Sequence, residues 1–228
     1  MERTALVTGA NRGLGRAVAQ QLHRQGLGVL VGARDGAEAR RVAATFGPGP
    51  AGHALGVTID VTDPAQVSAA AQRHVVDILV SNAGVMLDGG SDPLTVSLDA
   101  VEETLRVNLL GSWRVLQAFL PGMIARGWGR VVLVSSGTGA FSNGLFPGAP
   151  GYSVSKTALN GLTMMMAAQT SGSGVLINAV NPGPTRTRMM PKAEQTPEAA
   201  ALDIAWAATL PDDGPTGAFL RRRVAASW

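Results

Sequence analysis

The stretch Thr4-Ala5-Leu6-Val7-Thr8-Gly9-Ala10-Asn11-Arg12-Gly13-Leu14-Gly15 decides the fold of this chain. An apolar run typical of a buried strand passes into a glycine-rich turn, and Leu14, Val18 and Leu22 then recur at helical spacing. Glycines let the backbone turn sharply and approach a pyrophosphate, and the start of a helix offers unpaired N–H groups to phosphate oxygens. The stretch therefore predicts a dinucleotide-binding unit whose contacts come from Gly9, Asn11, Arg12, Gly13, Leu14 and Gly15.

The rest of the chain alternates short apolar runs with longer helical stretches, a pattern that favours a parallel sheet built from βαβ units. The predicted strands are residues 4–8, 27–33, 53–59, 76–81, 130–135, 174–180 and 217–220. The predicted helices are residues 14–25, 36–46, 64–74, 98–126, 153–170 and 197–209. Because no composition shift marks a boundary, we expect one domain over residues 1–228, with helices on both faces of a doubly wound α/β sheet (a Rossmann fold) of about seven strands.

Composition narrows the classes of function. The 228 residues are 46% apolar and 15% charged, which is typical of a globular protein. No apolar run approaches the ~18 residues of a membrane span, and Met1 leads almost directly into the first strand, which leaves no room for a signal peptide. We therefore expect a cytoplasmic protein without a membrane partner.

The charge pattern does not favour nucleic acid as a partner. The net charge is only +3. The sole basic cluster, Arg221-Arg222-Arg223, is expected at a solvated strand edge rather than in a phosphate-binding patch. The chain has no cysteine, and its three histidines are scattered and expected at the surface (His23, His53 and His74). The sequence therefore predicts no metal site and no Ser–His–Asp triad.

The end of the second predicted strand bears on cofactor choice. NAD-binding proteins normally carry an acid there for the ribose 2′-hydroxyl. This chain has Ala33 followed by Arg34, and Arg12 is a second cation in the glycine turn. Two guanidinium groups suit a dianionic 2′-phosphate, so NADP(H) is favoured. The alternative is that Asp35 serves as the acid of an NAD site.

Polar and small residues follow at the strand ends in chain order. They are Asp60-Val61, Asn82-Ala83-Gly84 and, within the long predicted helix, Asn108. Each is unremarkable alone, since Asp and Asn are common turn and capping residues. Together they fall at the carboxyl edge of the sheet, where doubly wound folds bind ligands.

The strongest chemical signal is Tyr152-Ser153-Val154-Ser155-Lys156, which contains the only tyrosine of the chain. Helix positions i and i+4 share a face, so the phenol and the ammonium can approach the same substrate. A cation ~4 Å from a phenol is worth about 4 kcal/mol at an effective dielectric of ~20, or roughly 3 pKa units. We therefore expect Lys156, together with the second positive charge of an oxidised nicotinamide, to bring the pKa of Tyr152 into the range of general acid–base catalysis. The buried-type strand before it ends in Ser135-Ser136, whose hydroxyls can bond a substrate oxygen.

These motifs together resemble the short-chain dehydrogenase/reductase family, from Thr4 to about Thr187. The resemblance implies that Tyr152 is the proton donor or acceptor and that Lys156 binds the nicotinamide ribose. It also implies that Ser136 orients the substrate carbonyl and that Asn108 holds a water of a proton relay. The segment 181–187 resembles the family's Pro-Gly turn, which implies nicotinamide contacts from Pro182, Gly183, Thr185 and Thr187.

The chain departs from the family pattern at two places. The position that the family usually gives to its serine is taken by Gly139, three residues after Ser136. We interpret this as an insertion in the following loop, with Ser135 and Ser142 as possible substitutes for Ser136. The segment 185–197 is short where the family has a substrate lid, which implies a small or open lid. Met189 and Met190 in it are either adaptable substrate contacts or packing residues.

The resemblance implies reversible reduction of a ketone or aldehyde with NADP(H). The turn Asp213-Gly214-Pro215-Thr216-Gly217 suggests a carbonyl reductase-like subgroup by analogy. The substrate is a small molecule. Helices 98–126 and 153–170 carry more apolar residues than one sheet-facing stripe needs, and the resemblance implies that they pair between subunits of a homodimer or homotetramer. Two alternatives remain: a catalytically silent NADP(H)-binding regulatory protein, and an epimerase or dehydratase relative, against which the chain length argues.

Overall fold

The computed structural model describes residues 3–47 and 52–228. One eight-stranded sheet has the strand order β3-β2-β1-β4-β5-β6-β7-β8. Seven strands run parallel and β8 pairs antiparallel with β7. The strands are β1 (Thr4–Val7), β2 (Gly28–Ala33), β3 (Ala54–Thr58), β4 (Ile78–Ser81), β5 (Gly129–Val134), β6 (Val175–Val180), β7 (Phe219–Arg221) and β8 (Val224–Ala226). The predicted doubly wound α/β fold is confirmed.

The helices agree with the predicted ones apart from two details that concern the site. They are α1 (Gly13–Arg24), α2 (Gly36–Ala44), α3 (Pro64–Arg73), α4 (Leu98–Leu105), α5 (Ser112–Ala125), α6 (Pro150–Gln169) and α7 (Pro197–Ala208). Helices α4 and α5 are joined by a wider, π-helical turn over Arg106–Gly111. Helix α6 begins three residues earlier than the sequence predicts, so Tyr152 lies in its first turn.

The helices cover both faces of the sheet. One apolar core lies between the sheet and α1, α2 and α7, and a second lies between the sheet and α3, α5 and α6. The central strands are buried along their whole length, as parallel strands covered on both faces must be. Chain order reverses at β1, which has β2 on one side and β4 on the other. Such a reversal leaves a crevice at the carboxyl ends of the strands, where ligands bind in this class of fold.

Two features differ from the sequence-based expectations. Strand β8 was not predicted because a three-residue strand carries too little periodicity, and Arg222 and Arg223 form the turn that leads into it with positive φ angles of 50° and 64°. Arg221, Arg222 and Arg223 are exposed, as expected of a solvated edge.

His23, expected at the surface, is only 2% exposed. Its Nε2 lies 3.1 Å from the carbonyl oxygen of Gly47, and its ring packs on Phe46, so the end of α1 buries it. Within the described ranges no helix is long and apolar enough to cross a membrane.

Candidate active site

The glycine turn after β1 is packed tightly against the start of α1. A Cβ on Gly15 would lie 2.4 Å from the carbonyl oxygen of Gly9, so only glycine allows this approach. Arg12 occupies the N-cap position of α1 and its side chain accepts no hydrogen bond from the helix. In contrast, α2 and α3 are capped by the side chains of Asp35 and Asp63. The first N–H groups of α1 are therefore left for another acceptor.

Asn82 and Ala83, at the end of β4, hold the glycine turn in place. The amide nitrogen of Asn82 donates to the carbonyl oxygens of Thr8 (2.9 Å) and Gly9 (3.3 Å). The Thr8 hydroxyl accepts from the backbone N–H groups of Asn82 and Ala83. The predicted residues Asn82 and Ala83 thus lie at the crevice, bonded to the turn itself. Thr8, which the sequence analysis did not select, is the partner that joins β1 to β4.

The two arginines expected near the adenosine end are both exposed. None of the ion pairs found in the described part of the chain involves Arg12 or Arg34. Asp35, the rival acid, instead caps α2: its Oδ1 accepts from the backbone N–H groups of Ala37 (2.8 Å) and Glu38 (3.1 Å). The structure therefore gives Asp35 a local role and leaves both arginines exposed.

The other residues predicted for this end also lie at the carboxyl edge. Asn11 donates to Glu38 at 2.8 Å, which ties the glycine turn to α2. Asp60 accepts two hydrogen bonds from Thr62 through Oδ1. Val61 is buried and its carbonyl oxygen accepts from Arg114. Gly84 follows Ala83 in the loop after β4 and faces the side chain of Asn108.

Lys156 is 4% exposed and its ammonium donates to the carbonyl oxygen of Val134 at 2.7 Å. Its Nζ lies 5.5 Å from the centre of the Tyr152 ring. Burial lowers the pKa of Lys156 to about 8. Burial likewise raises the pKa of the Tyr152 phenol above its ordinary value, and a hydrogen bond with Ser136 acts in the opposite direction.

The protein's own groups thus do not lower the pKa of Tyr152 as the sequence analysis expected. The loss of solvation is the larger influence on this pKa, and it outweighs the hydrogen bond with Ser136. At neutral pH the site therefore holds a neutral phenol beside a charged lysine.

Of the candidate serines, Ser136 is the one whose side chain lowers the pKa of the phenol, and its Oγ accepts from the Thr138 hydroxyl at 3.0 Å. Ser135 is buried and its hydroxyl donates to Asn160 at 2.6 Å. Ser142 bonds the carbonyl oxygen of Ser227 near the C-terminal end of the chain. At Gly139, a Cβ would lie 2.6 Å from the backbone nitrogen of Thr157, so no serine fits at the position that the family usually uses. The geometry agrees with an insertion after Ser136.

Asn108 lies in the π-helical turn and is 1% exposed. Its amide nitrogen donates to the carbonyl oxygen of Val85 and to the Ser155 hydroxyl, both at 2.9 Å. Its Oδ1 accepts from the backbone N–H of Val85 at 2.8 Å. Both N–H groups of the side chain are thus used within the protein, and Asn108 connects the loop after β4 to α6.

The Pro-Gly turn after β6 is anchored from two sides. Gly183 donates to Asn181, and the Thr185 hydroxyl donates to the carbonyl oxygen of Gly183. Gln195 bonds the carbonyl oxygen of Pro182 and pairs with Thr185 in an isolated β-bridge.

Beyond this turn the chain passes close to the glycine turn. A Cβ on Gly13 would lie 3.5 Å from the methyl group of Thr187. This brings the predicted residues of segment 182–187 and those of the glycine turn to one crevice.

Besides Thr8, two residues of the site were not identified from the sequence. Asn160, one turn beyond Lys156, holds Ser135 and donates to the carbonyl oxygen of Gly139. The spacing from Lys156 could have suggested it. Asp88 bonds the first turn of α6, a long-range contact without a local sequence signal. Among the residues described, no cluster of three or more acidic or histidine side chains is arranged to hold a metal ion.

Sequence comparison relates the chain to known oxidoreductases. The family model described as short chain dehydrogenase matches residues 3–198. The oxidoreductase UcpA of Escherichia coli is 38% identical over 192 residues, which cover 82% of this chain and 71% of UcpA. The 3-oxoacyl-[acyl-carrier-protein] reductase FabG of Aquifex aeolicus is 36% identical, with 82% of this chain and 75% of FabG covered.

Solved structures show the same fold. A 3-oxoacyl-[acyl-carrier protein] reductase from Brucella melitensis superposes with a TM-score of 0.88 and 26% identity, covering 97% of this chain and 90% of that one. ElxO with NADP bound superposes with a TM-score of 0.87 and 25% identity, covering 97% of both chains. This chain belongs to the short-chain dehydrogenase/reductase family of oxidoreductases.

Proposed function

We propose that this protein is an NADP(H)-dependent carbonyl reductase that moves a hydride reversibly between the nicotinamide and a ketone or aldehyde. The observation that carries the proposal is that Lys156 lies beside Tyr152, with the ammonium 5.5 Å from the centre of the Tyr152 ring, and that burial keeps the pKa of the phenol above its ordinary value. A protonated phenol is a proton donor, and reduction of a carbonyl needs a proton on the oxygen as hydride reaches the carbon.

The residues of the crevice fit a pyridine dinucleotide. The first N–H groups of α1 lack a side-chain cap, and the close contact at Gly15 brings the turn backbone within reach of a pyrophosphate. Bound NADPH would supply the hydride. Lys156 would bond the nicotinamide ribose, and the segment from Pro182 to Thr187 would contact the nicotinamide and pyrophosphate.

The choice of NADP(H) over NAD(H) rests on the two arginines. Arg12 and Arg34 are exposed, one in the glycine turn and the other just after β2, whereas Asp35 is engaged as the cap of α2. Solved relatives support a pyridine nucleotide without deciding between the two, since ElxO has NADP bound and a Brucella melitensis reductase has NAD bound. A 2′-phosphate would satisfy both guanidinium groups through charge-assisted hydrogen bonds.

The protein's own steps follow from the contacts at α6. Tyr152 gives its phenolic proton to the carbonyl oxygen, and Ser136 donates a hydrogen bond to the same oxygen as negative charge develops there. The Lys156 ammonium stabilises the resulting phenolate electrostatically. Asn108 fixes the loop after β4 against α6, so that these groups keep their relative positions.

Apolar side chains are exposed in two segments that follow site residues in the chain. The loop after Ser136 presents exposed side chains, with Phe141 69% and Phe146 52% exposed, and Met190 adds another from the segment 185–197. Up to Thr196, that segment contains turns and one β-bridge but no helix. We propose that it forms a short substrate lid on a single catalytic domain and that the substrate is a small carbonyl compound with an apolar body.

The test is a panel of ketones and aldehydes assayed by loss of NADPH absorbance, in parallel with NADPH binding by fluorescence. The proposal predicts binding and NADPH-dependent turnover of at least one apolar carbonyl compound. Binding without turnover on a broad panel would point to a silent regulatory protein. Turnover of a sugar nucleotide with no net change in the cofactor would point to an epimerase, and either result would contradict the proposal.

A further inference from the structure

Helix α6 begins without a capping residue of its own. Its N-cap residue is Ala149 and Pro150 follows, so no local side chain accepts from the first turn. The first N–H groups of a helix have no partner within the helix and need an external acceptor. In α6 these include the N–H of Gly151 and that of Tyr152.

Asp88 supplies this acceptor from the loop after β4. Its Oδ2 accepts from the backbone N–H of Gly151 at 2.5 Å and from that of Tyr152 at 3.3 Å. The two segments are 63 residues apart in sequence, so this is a long-range cap of the helix that carries the phenol. A negative charge at a helix N-terminus is also favoured by the helix dipole.

The cap is buried. Asp88 is 2% exposed, and its Oδ1 is enclosed with no hydrogen-bond partner in the described part of the chain. A buried acceptor without a partner is costly. An ordinary surface cap would avoid that cost by leaving one oxygen in water, as Asp35 does on α2. Asp88 is instead buried, and from this position in the loop after β4 its side chain accepts from the backbone N–H of Tyr152.

The same loop also holds the cofactor side of the crevice. It begins with Asn82 and Ala83, bonded to Thr8, and continues with Val85, bonded to Asn108. After Asp88, the N–H of Gly90 donates to the carbonyl oxygen of Gly148, just before α6. The loop 82–90 therefore connects the glycine turn to the first turn of α6.

We propose that Asp88 is a positioning residue that fixes the backbone of Tyr152 and so couples the phenol to the glycine turn through the loop 82–90. This inference rests on the proposed role of Tyr152 in proton transfer. Asp88 touches neither the reacting atoms nor the cofactor contacts named above. It acts through the helix that carries Tyr152.

The test compares Asp88→Ala, Asp88→Asn and the control Asp77→Ala. Asp77 also accepts a long-range backbone N–H, that of Thr4, but at the opposite edge of the sheet. Three quantities are measured on the full-length protein: kcat with saturating NADPH, the Kd of NADPH, and amide hydrogen exchange at Gly151 and Tyr152.

We expect Asp88→Ala to lower kcat by about tenfold or more and to speed exchange of the two amides by about tenfold, the scale of a lost helix cap. The Kd of NADPH should stay within about threefold. Asp88→Asn keeps an acceptor oxygen, so kcat should return to within about threefold of the parent. Asp77→Ala should lower the unfolding temperature and leave kcat unchanged.

The proposal is overturned if Asp88→Ala leaves kcat and the exchange of Tyr152 unchanged, if Asp88→Asn fails as badly as Asp88→Ala, or if Asp77→Ala lowers kcat equally. A parent protein that turns over no carbonyl compound would refute the proposed function alone. The exchange rates at Gly151 and Tyr152 would then still decide whether Asp88 fixes this turn.

Discussion

Burial acts on Tyr152 and Lys156 in opposite directions on the pKa scale, and in both cases it favours the neutral form. The pKa of the phenol is raised and that of the ammonium is lowered to about 8, in each case chiefly by loss of solvation. Below pH 8 the phenol is protonated and the lysine carries its charge. This is the state that a carbonyl reductase needs before hydride transfer, with the proton still on the phenol and a cation ready to stabilise the phenolate.

The buried charge of Lys156 should appear in the pH dependence of stability. Below about pH 8 the lysine is charged in the folded and unfolded protein, and the folded state bears the cost of burying it. Between that pH and the unfolded pKa of 10.5, the unfolded chain binds more protons, so the free energy of unfolding rises with pH. The stability advantage of Lys156→Met over the parent should therefore shrink by up to about 3 kcal/mol across this window.

Urea unfolding of the cofactor-free protein at several pH values measures this change. Lys192→Met is the control, since Lys192 is the only other lysine and is exposed. A stability difference between Lys156→Met and the parent that does not change from pH 8 to pH 10 would contradict the buried charge.

The assignment of Ser136 can be tested against the serine nearest to it in the following loop. Ser136→Ala removes a hydroxyl in contact with the phenol and should lower kcat by about a hundredfold, the scale of a lost oxyanion donor. Ser142→Ala removes an exposed hydroxyl that bonds the C-terminal segment and should leave kcat unchanged. Steady-state kinetics on both variants distinguishes the two serines. A loss of kcat in Ser142→Ala, with kcat unchanged in Ser136→Ala, would assign the substrate oxygen to Ser142.

At the scale of elements, hydrophobic periodicity was enough to predict the α-helical regions and all the parallel strands of the described residues, although it gave α4 and α5 as one helix. It could not find the start of α6, because Gly148, Ala149 and Pro150 carry loop signals and the acceptor that begins the helix is Asp88, far away in sequence. It could not show that Asn108 lies in a π-helical turn, which changes the register without changing the apolar pattern. Site residues that follow strands were predictable, whereas those that act through long-range hydrogen bonds were not.

The proposed preference for NADP(H) rests on the junction between β2 and α2. A single charge-assisted contact to a 2′-phosphate corresponds to about a ten- to hundredfold preference. Arg34→Ala should therefore lower kcat/KM for NADPH by that factor and leave kcat/KM for NADH nearly unchanged. Asp35→Ala should cost about 1 kcal/mol of stability through loss of the cap of α2 and keep the preference for NADPH.

Kinetics with both cofactors on the parent and the two variants measures this preference. An NADH preference in the parent, or a selective loss of NADH activity in Asp35→Ala, would reassign the site to NAD(H).

At the scale of the whole molecule, α6 exposes an apolar stripe. Val154 and Met165 are 49% and 57% exposed, and their separation of eleven residues places them on one face. Gly161 lies between them with open space around its Cα. Exposed apolar faces of this kind mark interfaces between subunits, and they support the prediction of a homodimer or homotetramer.

Light scattering tests this prediction of quaternary structure. The parent should be a dimer or tetramer at micromolar concentration, and Met165→Glu should shift it towards the monomer because it buries a charge in the interface. Val75→Glu, a change at an apolar residue 65% exposed outside α6, should leave the mass unchanged. A parent protein that is monomeric at micromolar concentration would contradict the predicted homo-oligomer.

The most direct test of the account is the turnover of Tyr152→Phe with NADPH and an accepted carbonyl substrate. The change removes the transferable proton and keeps the ring, so the affinity for NADPH should stay within about threefold while kcat falls by about a hundredfold or more. Thr163→Val, which removes a buried hydroxyl farther along α6, should keep kcat near that of the parent. Near-normal turnover by Tyr152→Phe would contradict proton transfer by Tyr152 and with it the proposed mechanism.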